Sequence, residues 1–152
     1  MSGCIIVRAA RADDKSFLAA CNAAMAWETE RKSLDRAVLA AGVAGVLDEP
    51  RRGFYLVAEL AGELTGCLMI TTEWSDWRNG NWWWIQSVYV MPAARRHGVF
   101  RALHAETERR AQAAPEVIGL RLYVERDNQS AQATYAGLGM QQTHYLLFER
   151  AF

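Results

Sequence analysis

The sequence predicts a mixed α/β (α+β) layer fold built on a mostly antiparallel central sheet. Three observations lead there. The stretch 85–103 (IQSVYVMPAARRHGVFRAL) switches from strand-like to helical apolar spacing within a few residues. Two turn signals, Gly62 and Asn79-Gly80, join three β-rich runs into consecutive hairpins. A near-continuous apolar run at 117–124 (VIGLRLYV) follows the central helix, as a buried strand reached by a parallel crossover does.

Residues 5–9 make a short first strand. Asp13 and Asp14 are helix starters, and Phe17, Leu18, Cys21, Ala24 and Met25 then recur at helical spacing to about Trp27. The charged run WETERK (27–32) is expected to leave the helix. Asp35 can cap a second helix with Val38, Leu39, Val43 and Val46 on its apolar side. Pro50 and Gly53 mark a loop. Strands are expected over 54–60 and 64–72, with a turn at 61–63. A polar, aromatic loop follows at 73–81, then a strand over 82–91. Strand alternation there puts Trp82, Trp84, Gln86 and Val88 on one side and Trp83, Ile85, Ser87 and Tyr89 on the other. Pro92 stops that strand. After Gly98 the helical set is Val99, Leu103, Thr107 and Ala111, with Phe100 beside them, and Pro115 ends it. A short helix over 128–136 has Asp127 or Asn128 as cap and Gly137 as stop. Residues 141–149 are expected to close the chain as a strand.

The 152 residues fit one domain, 1–152, and 51% hydrophobic content suffices for a real core. Lys plus Arg and Asp plus Glu are 17 each, which argues against a nucleic-acid partner, since that needs a basic face. The apolar run before Arg8 is too short for a signal peptide, and nothing approaches a membrane span, so a soluble, cytoplasmic protein without a membrane partner is expected. Cys4, Cys21 and Cys67 form no paired spacing, and His97, His104 and His144 share none that would bind metal. No metal is expected.

Two constellations carry chemistry. Arg95-Arg96-His97-Gly98 lies between a strand and a helix, where backbone N–H groups, a helix dipole and cations converge as an anion needs. It fits neither the nucleotide P-loop nor the GxGxxG pattern. By itself it is also an ordinary strand-to-helix turn. The second constellation is Asn128, Ala131 and Tyr135, spaced to share one helix face, with Gly137-Leu138-Gly139 behind them.

Together these motifs resemble the GNAT acetyltransferase superfamily. Its phosphate turn runs Gln or Arg, two residues, Gly, one residue, then Gly or Ala. Here that is Arg95-Arg96-His97-Gly98-Val99-Phe100, after V-Y-V-M-P, with Phe100 at the small-residue position. Its later helix runs Asn-x-x-Ala-x-x-x-Tyr, matched by Asn128, Ala131 and Tyr135, and then Leu138-Gly139-Met140. The resemblance implies a sheet with a splayed parallel strand pair and helices on both faces. It implies acetyl transfer from acetyl-CoA, as co-substrate, to an amine. The cofactor would lie against Arg95, Arg96, His97, Gly98, Val99, Phe100 and Arg101, against backbone at Val88, Tyr89 and Val90, and near Asn128 and Tyr135. Tyr135 would protonate the departing thiolate.

The strand before the turn carries no acid, only Gln86, so base candidates are Glu73, Glu28 and Glu30, or a water relay. Five of the six tryptophans fall within 74–84. Aromatic faces beside carboxylates suit a small amine, expected to be cationic, with Trp27, Glu28, Trp74, Trp84 and Gln86 around it. Exposed tryptophan equally suits a homodimer interface. A peptide or protein acetyltransferase, a non-catalytic acyl-CoA-binding module and a Trp-rich oligomerisation domain are the rival readings.

Overall fold

The computed structural model describes residues 3–152. The chain divides into two compact units, Met1–Leu122 and Tyr123–Phe152. The first holds a five-stranded sheet in the order β1-β2-β3-β4-β5, with β1 Ile5–Ala9, β2 Phe54–Leu60, β3 Glu63–Ser75, β4 Gly80–Val90 and β5 Val117–Arg121. All neighbours are antiparallel except β4 and β5, which run parallel. Helices α1 (Lys15–Glu30) and α2 (Arg36–Asp48) join β1 to β2, and α3 (Val99–Ala113) joins β4 to β5. This is the mixed, mostly antiparallel α/β sheet that the patterning predicts.

Local chemistry explains most boundaries. Ala61 and Gly62 both have positive φ (54° and 82°), the geometry that lets a two-residue hairpin follow the sheet's twist. Asp35 caps α2 by accepting from the Ala37 and Val38 amides. Several expectations need correction. α1 does not stop near Trp27 but runs to Glu30, where Arg31 takes a left-handed conformation and the Arg31 and Lys32 amides bond back to Trp27 and Ala26. Glutamate and threonine sustain a helix well enough for this. The expected loop at 73–81 is mostly strand, because β3 and β4 pair out to Ser75 and Gly80, leaving only a four-residue turn. Val38 is 71% exposed, since the buried side of α2 is Val43 with Leu39 and Val46 around it. Asp14 caps no α1 amide. Its carboxylate instead accepts from the Arg11 amide and from Arg8.

The alternation expected for β4 fails at one point. The β3–β4 register moves from Met69↔Gln86 to Cys67↔Tyr89, so one extra residue sits on β4. Ser87 carries it, with φ of 51°. Before the bulge Trp83 and Ile85 face α3. After it Val88 and Val90 do, in one core with Leu56, Leu68, Ile70, Val99 and Leu103. Tyr89 turns to the opposite face, into the core that α1 and α2 cover with Leu18, Cys21 and Val43. Val88 is therefore not on the side of Trp82, Trp84 and Gln86, and Tyr89 is not on the side of Trp83.

In the second unit α4 spans Gln129–Gly137. Asn128 caps it by accepting from the Ala131 amide. The helix stops one residue later than expected, since Gly137 is helical and Gly139 takes the left-handed conformation (φ 87°). The strand expected over 141–149 is not formed within this unit: a strand needs a ladder, and α4 provides none. In the first unit β5 ends at Arg121, three residues short of the expected 124.

Candidate active site

The turn between β4 and α3 is shaped by two left-handed residues, Arg96 (φ 66°) and Gly98 (φ 85°). Gly98 is the N-cap of α3 and supplies no capping side chain. The first intrahelical bond runs from the Ala102 amide to the Gly98 carbonyl at 3.0 Å. The amides of Val99 to Arg101 therefore lie ahead of the helix's own ladder, at the positive end of a 15-residue dipole. Arg96, His97 and Arg101 are exposed around them, while Val99 is buried. His97 Nδ1–H donates to the Arg95 carbonyl at 2.8 Å, which leaves Nε2 as the outward ring nitrogen. The half-buried Phe100 ring lies beside His104, with centroids 6.1 Å apart. Gly66 makes this placement of α3 possible, because a Cβ there would stand 2.9 Å from Val99 Cγ1 and 3.1 Å from the Tyr89 carbonyl.

The parallel ladder of β4 and β5 ends at Trp84↔Arg121, yet β4 continues to Val90. β5 itself ends at Arg121. The backbone of Val88, Tyr89 and Val90 stands on the length of β4 past its last pairing with β5, immediately before the turn into α3.

On the α1 side of the sheet two carboxylates are held in place. Glu28, near the end of α1, accepts from the Tyr89 hydroxyl at 2.7 Å through Oε1 and from Arg95 Nη2 at 2.7 Å through Oε2. The Tyr89 hydroxyl first and Arg95 second hold the Glu28 carboxyl below its ordinary range. Burial, and then Glu28 itself, push the Tyr89 phenol up to about 12. Glu73 accepts from Trp84 Nε1 at 2.7 Å and from Arg121 Nη1 at 3.2 Å. The Arg121 guanidinium also lies 4.0 Å from the Trp82 ring centroid, and Arg78 lies 5.4 Å from it. Gln86 donates to Thr71 Oγ1 on the same face.

The predicted acceptor residues are thus only partly brought together. Glu73, Trp84 and Gln86 share one face, since Glu73 pairs with Trp82 and Thr71 with Trp84. Trp74 pairs with Asn81 and projects to the opposite face. It does not belong with them. Trp27 is 52% exposed on α1, with Arg31 5.5 Å from its ring centroid. Glu30 is exposed at the helix end. In the second unit Tyr135 lies one helical face along from Asn128, and burial pushes its phenol above the ordinary value. The side chain of Tyr89, and Arg121 and Arg78, were not expected at the site. Tyr89 reaches it only because of the bulge, which no periodicity announces.

A helix that opens with an uncapped glycine, after a strand that runs on past its parallel partner, defines an α/β domain suited to holding an anion. The sequence matches the Acetyltransferase (GNAT) family over residues 10–140, and the chain belongs to that family. Among solved structures it is 42% identical to a possible acetyltransferase from Clostridium difficile 630, covering 97% of each chain with a TM-score of 0.92. The aminoglycoside N-acetyltransferase AAC(6')-Iy in complex with CoA is 14% identical, covering 99% of this chain and 97% of that one at a TM-score of 0.80. Ribosomal-protein-alanine N-acetyltransferase from Brucella melitensis biovar Abortus 2308 is 16% identical, covering 98% and 99% at 0.78. These last two show the fold alone. No curated protein matches the sequence. The protein is an acetyl-CoA-dependent acyltransferase. The glycine-fronted, uncapped start of α3 suits an anion such as a diphosphate. Among the described residues no helix is long and apolar enough to cross a membrane.

Proposed function

We propose that the protein N-acetylates a small-molecule primary amine that arrives as a cation. The observation that carries this reading is the shared face of β3 and β4, where a fixed carboxylate, Glu73, stands among the Trp82 and Trp84 rings. Acetyl-CoA supplies the activated acetyl group when bound. The amides from Gly98 to Arg101, with Arg96 and Arg101, hold its diphosphate, and backbone at Val88 to Val90 aligns its arm. A backbone N–H on that stretch faces the acyl oxygen, where negative charge develops as the amine attacks.

Glu73 is the carboxylate placed to accept the amine's proton. It replaces from β3 the acid that β4 lacks. Trp84 lies four residues before Val88, roughly 13 Å along a strand, so the proton travels through water. Glu28 is poorly suited to that role, because the Tyr89 hydroxyl and then Arg95 hold its carboxyl below the ordinary range, which makes it a weaker base. Tyr135 acts as the acid toward the leaving thiolate; its raised phenol keeps the proton at neutral pH. The whole chain, residues 1–152, works as one catalytic domain. AAC(6')-Iy, of the same fold, is an aminoglycoside N-acetyltransferase solved with CoA and with the bisubstrate analogue CoA-S-monomethyl-acetylneamine.

The test is a thiol-release screen with acetyl-CoA against alkylamines, arylethylamines, aminoglycosides and short peptides. Turnover of small amines well above that of peptides is expected. Peptide turnover alone, or no acceptor-dependent thiol release, would overturn the reading.

A further inference from the structure

Arg95 is held by three neighbours. Its Nε donates to the Val90 carbonyl at 3.0 Å, its Nη2 donates to Glu28 at 2.7 Å, and its guanidinium carbon lies 5.5 Å from the centroid of the Tyr89 ring. Glu28 in turn is fixed from the other side by the Tyr89 hydroxyl. Only the Nη1 edge of the fork is left without an acceptor among the described residues, and the Arg95 side chain is 44% exposed. A flexible guanidinium at the first position of an anion-binding turn is thereby given one orientation and one open edge. The charges around Glu28 are Arg95 and Arg31, and the turn adds Arg96 and the start of α3, so the locality stays net positive. A second cation would be repelled there, and an anion attracted.

We infer that Glu28 and Tyr89 are positioning residues for the cofactor: they aim Arg95 so that its Nη1 edge meets the CoA diphosphate. Glu28 thus serves the phosphate turn from across the sheet, and neither removes a proton nor anchors the amine. Tyr89 and Arg95 hold its carboxyl below the ordinary range, which suits a brace that must stay charged around neutral pH. The inference rests on the CoA site assigned above, which titration of the unaltered enzyme with CoA tests separately.

Calorimetric titration of CoA into the full-length enzyme and into Glu28→Gln, Tyr89→Phe, Arg95→Met and Glu28→Gln/Arg95→Met tests it. About a tenfold rise in Kd is expected for Glu28→Gln and Arg95→Met, and a smaller rise for Tyr89→Phe. The double variant should be no weaker than Arg95→Met alone, because Glu28 acts only through Arg95. The salt dependence of CoA binding should flatten by about one counterion in Arg95→Met. With acetyl-CoA saturating, KM for the fastest amine of the screen should stay within twofold in Glu28→Gln. A fold defect is separated by the melting temperature, which should move little for Glu28→Gln. CoA affinity within twofold of wild type in Glu28→Gln would overturn the inference. So would additive losses in the double variant, or a loss confined to amine KM or kcat.

Discussion

Gly98→Ala separates the roles of the phosphate turn in folding and in binding. Gly98 sits at φ 85° and ψ 9°, a region an alanine enters at a cost of about 1 kcal/mol. The new methyl meets no steric wall, since the nearest protein atom is Ile5 Cδ1 at 3.9 Å. For a chain of this size about 1 kcal/mol lowers the melting temperature by roughly 2–4 °C. That open space is where the diphosphate must approach the Gly98–Arg101 amides. A methyl group there removes one or more charge-assisted bonds, each about 1.5–3 kcal/mol, or about ten- to hundredfold in Kd. The expected result is therefore a small stability loss with a large affinity loss, read by differential scanning calorimetry and by CoA titration. A CoA Kd within twofold of wild type, with the melting temperature down as expected, would refute the assignment of this turn to the cofactor. A drop of more than about 10 °C would refute the claim that the site tolerates a side chain's volume.

Four further outcomes follow from the same structure. Tyr135→Phe should lower kcat by about ten- to hundredfold in steady-state assays while CoA affinity barely changes. Glu73→Gln should lower kcat/KM for the amine about tenfold or more at neutral pH, and the deficit should shrink at high pH, where the amine is already deprotonated. Asp14 is 5% exposed and doubly bonded to Arg8, so Asp14→Asn should cost about 3–5 kcal/mol in urea unfolding. Arg8 chiefly depresses the Asp14 carboxyl, so this stability is present above the ordinary carboxylate pKa, and the gap between wild type and variant should close as pH falls below about 4. His104 is 3% exposed with Nε2 unpartnered, and burial, partly offset by Glu108, pushes its pKa down. The folded state binds its proton less readily than the unfolded one, so stability is lost as pH falls below about 6.5, and His104→Leu should flatten that loss in pH-dependent melts.

The sequence exposes whatever rests on local chemistry. Gly62 and Asn79 announce their hairpins because positive φ favours few residues, and both turns lie within the stretches expected for them. The Val99, Leu103, Thr107 and Ala111 stripe is the buried face of α3 for the same local reason. What stays hidden depends on long-range pairing. Gly80 and Asn81 belong to a strand because β3 lies opposite them, and their own polarity argues for a loop. Trp74 reads as an acceptor residue by its neighbours in sequence, yet cross-strand pairing sends it to the other face. Glu28 and Arg95 are 67 residues apart, and no spacing rule joins them.

The bulge at Ser87 connects these findings. In a regular β4, Tyr89 would follow Trp83 and Ile85 toward α3, and Val88 and Val90 would face α1. One extra residue reverses both assignments. It places two small β-branched side chains under α3, where Val99 and Leu103 pack closely against Gly66. It also sends the Tyr89 hydroxyl across to Glu28, whose carboxylate then fixes Arg95 at the mouth of the turn. The residues that would align the thioester and the side chain that sets the cofactor's arginine thus depend on a single irregularity. Removing one residue at 87 would therefore damage cofactor binding through two independent routes, even where the sheet itself still forms.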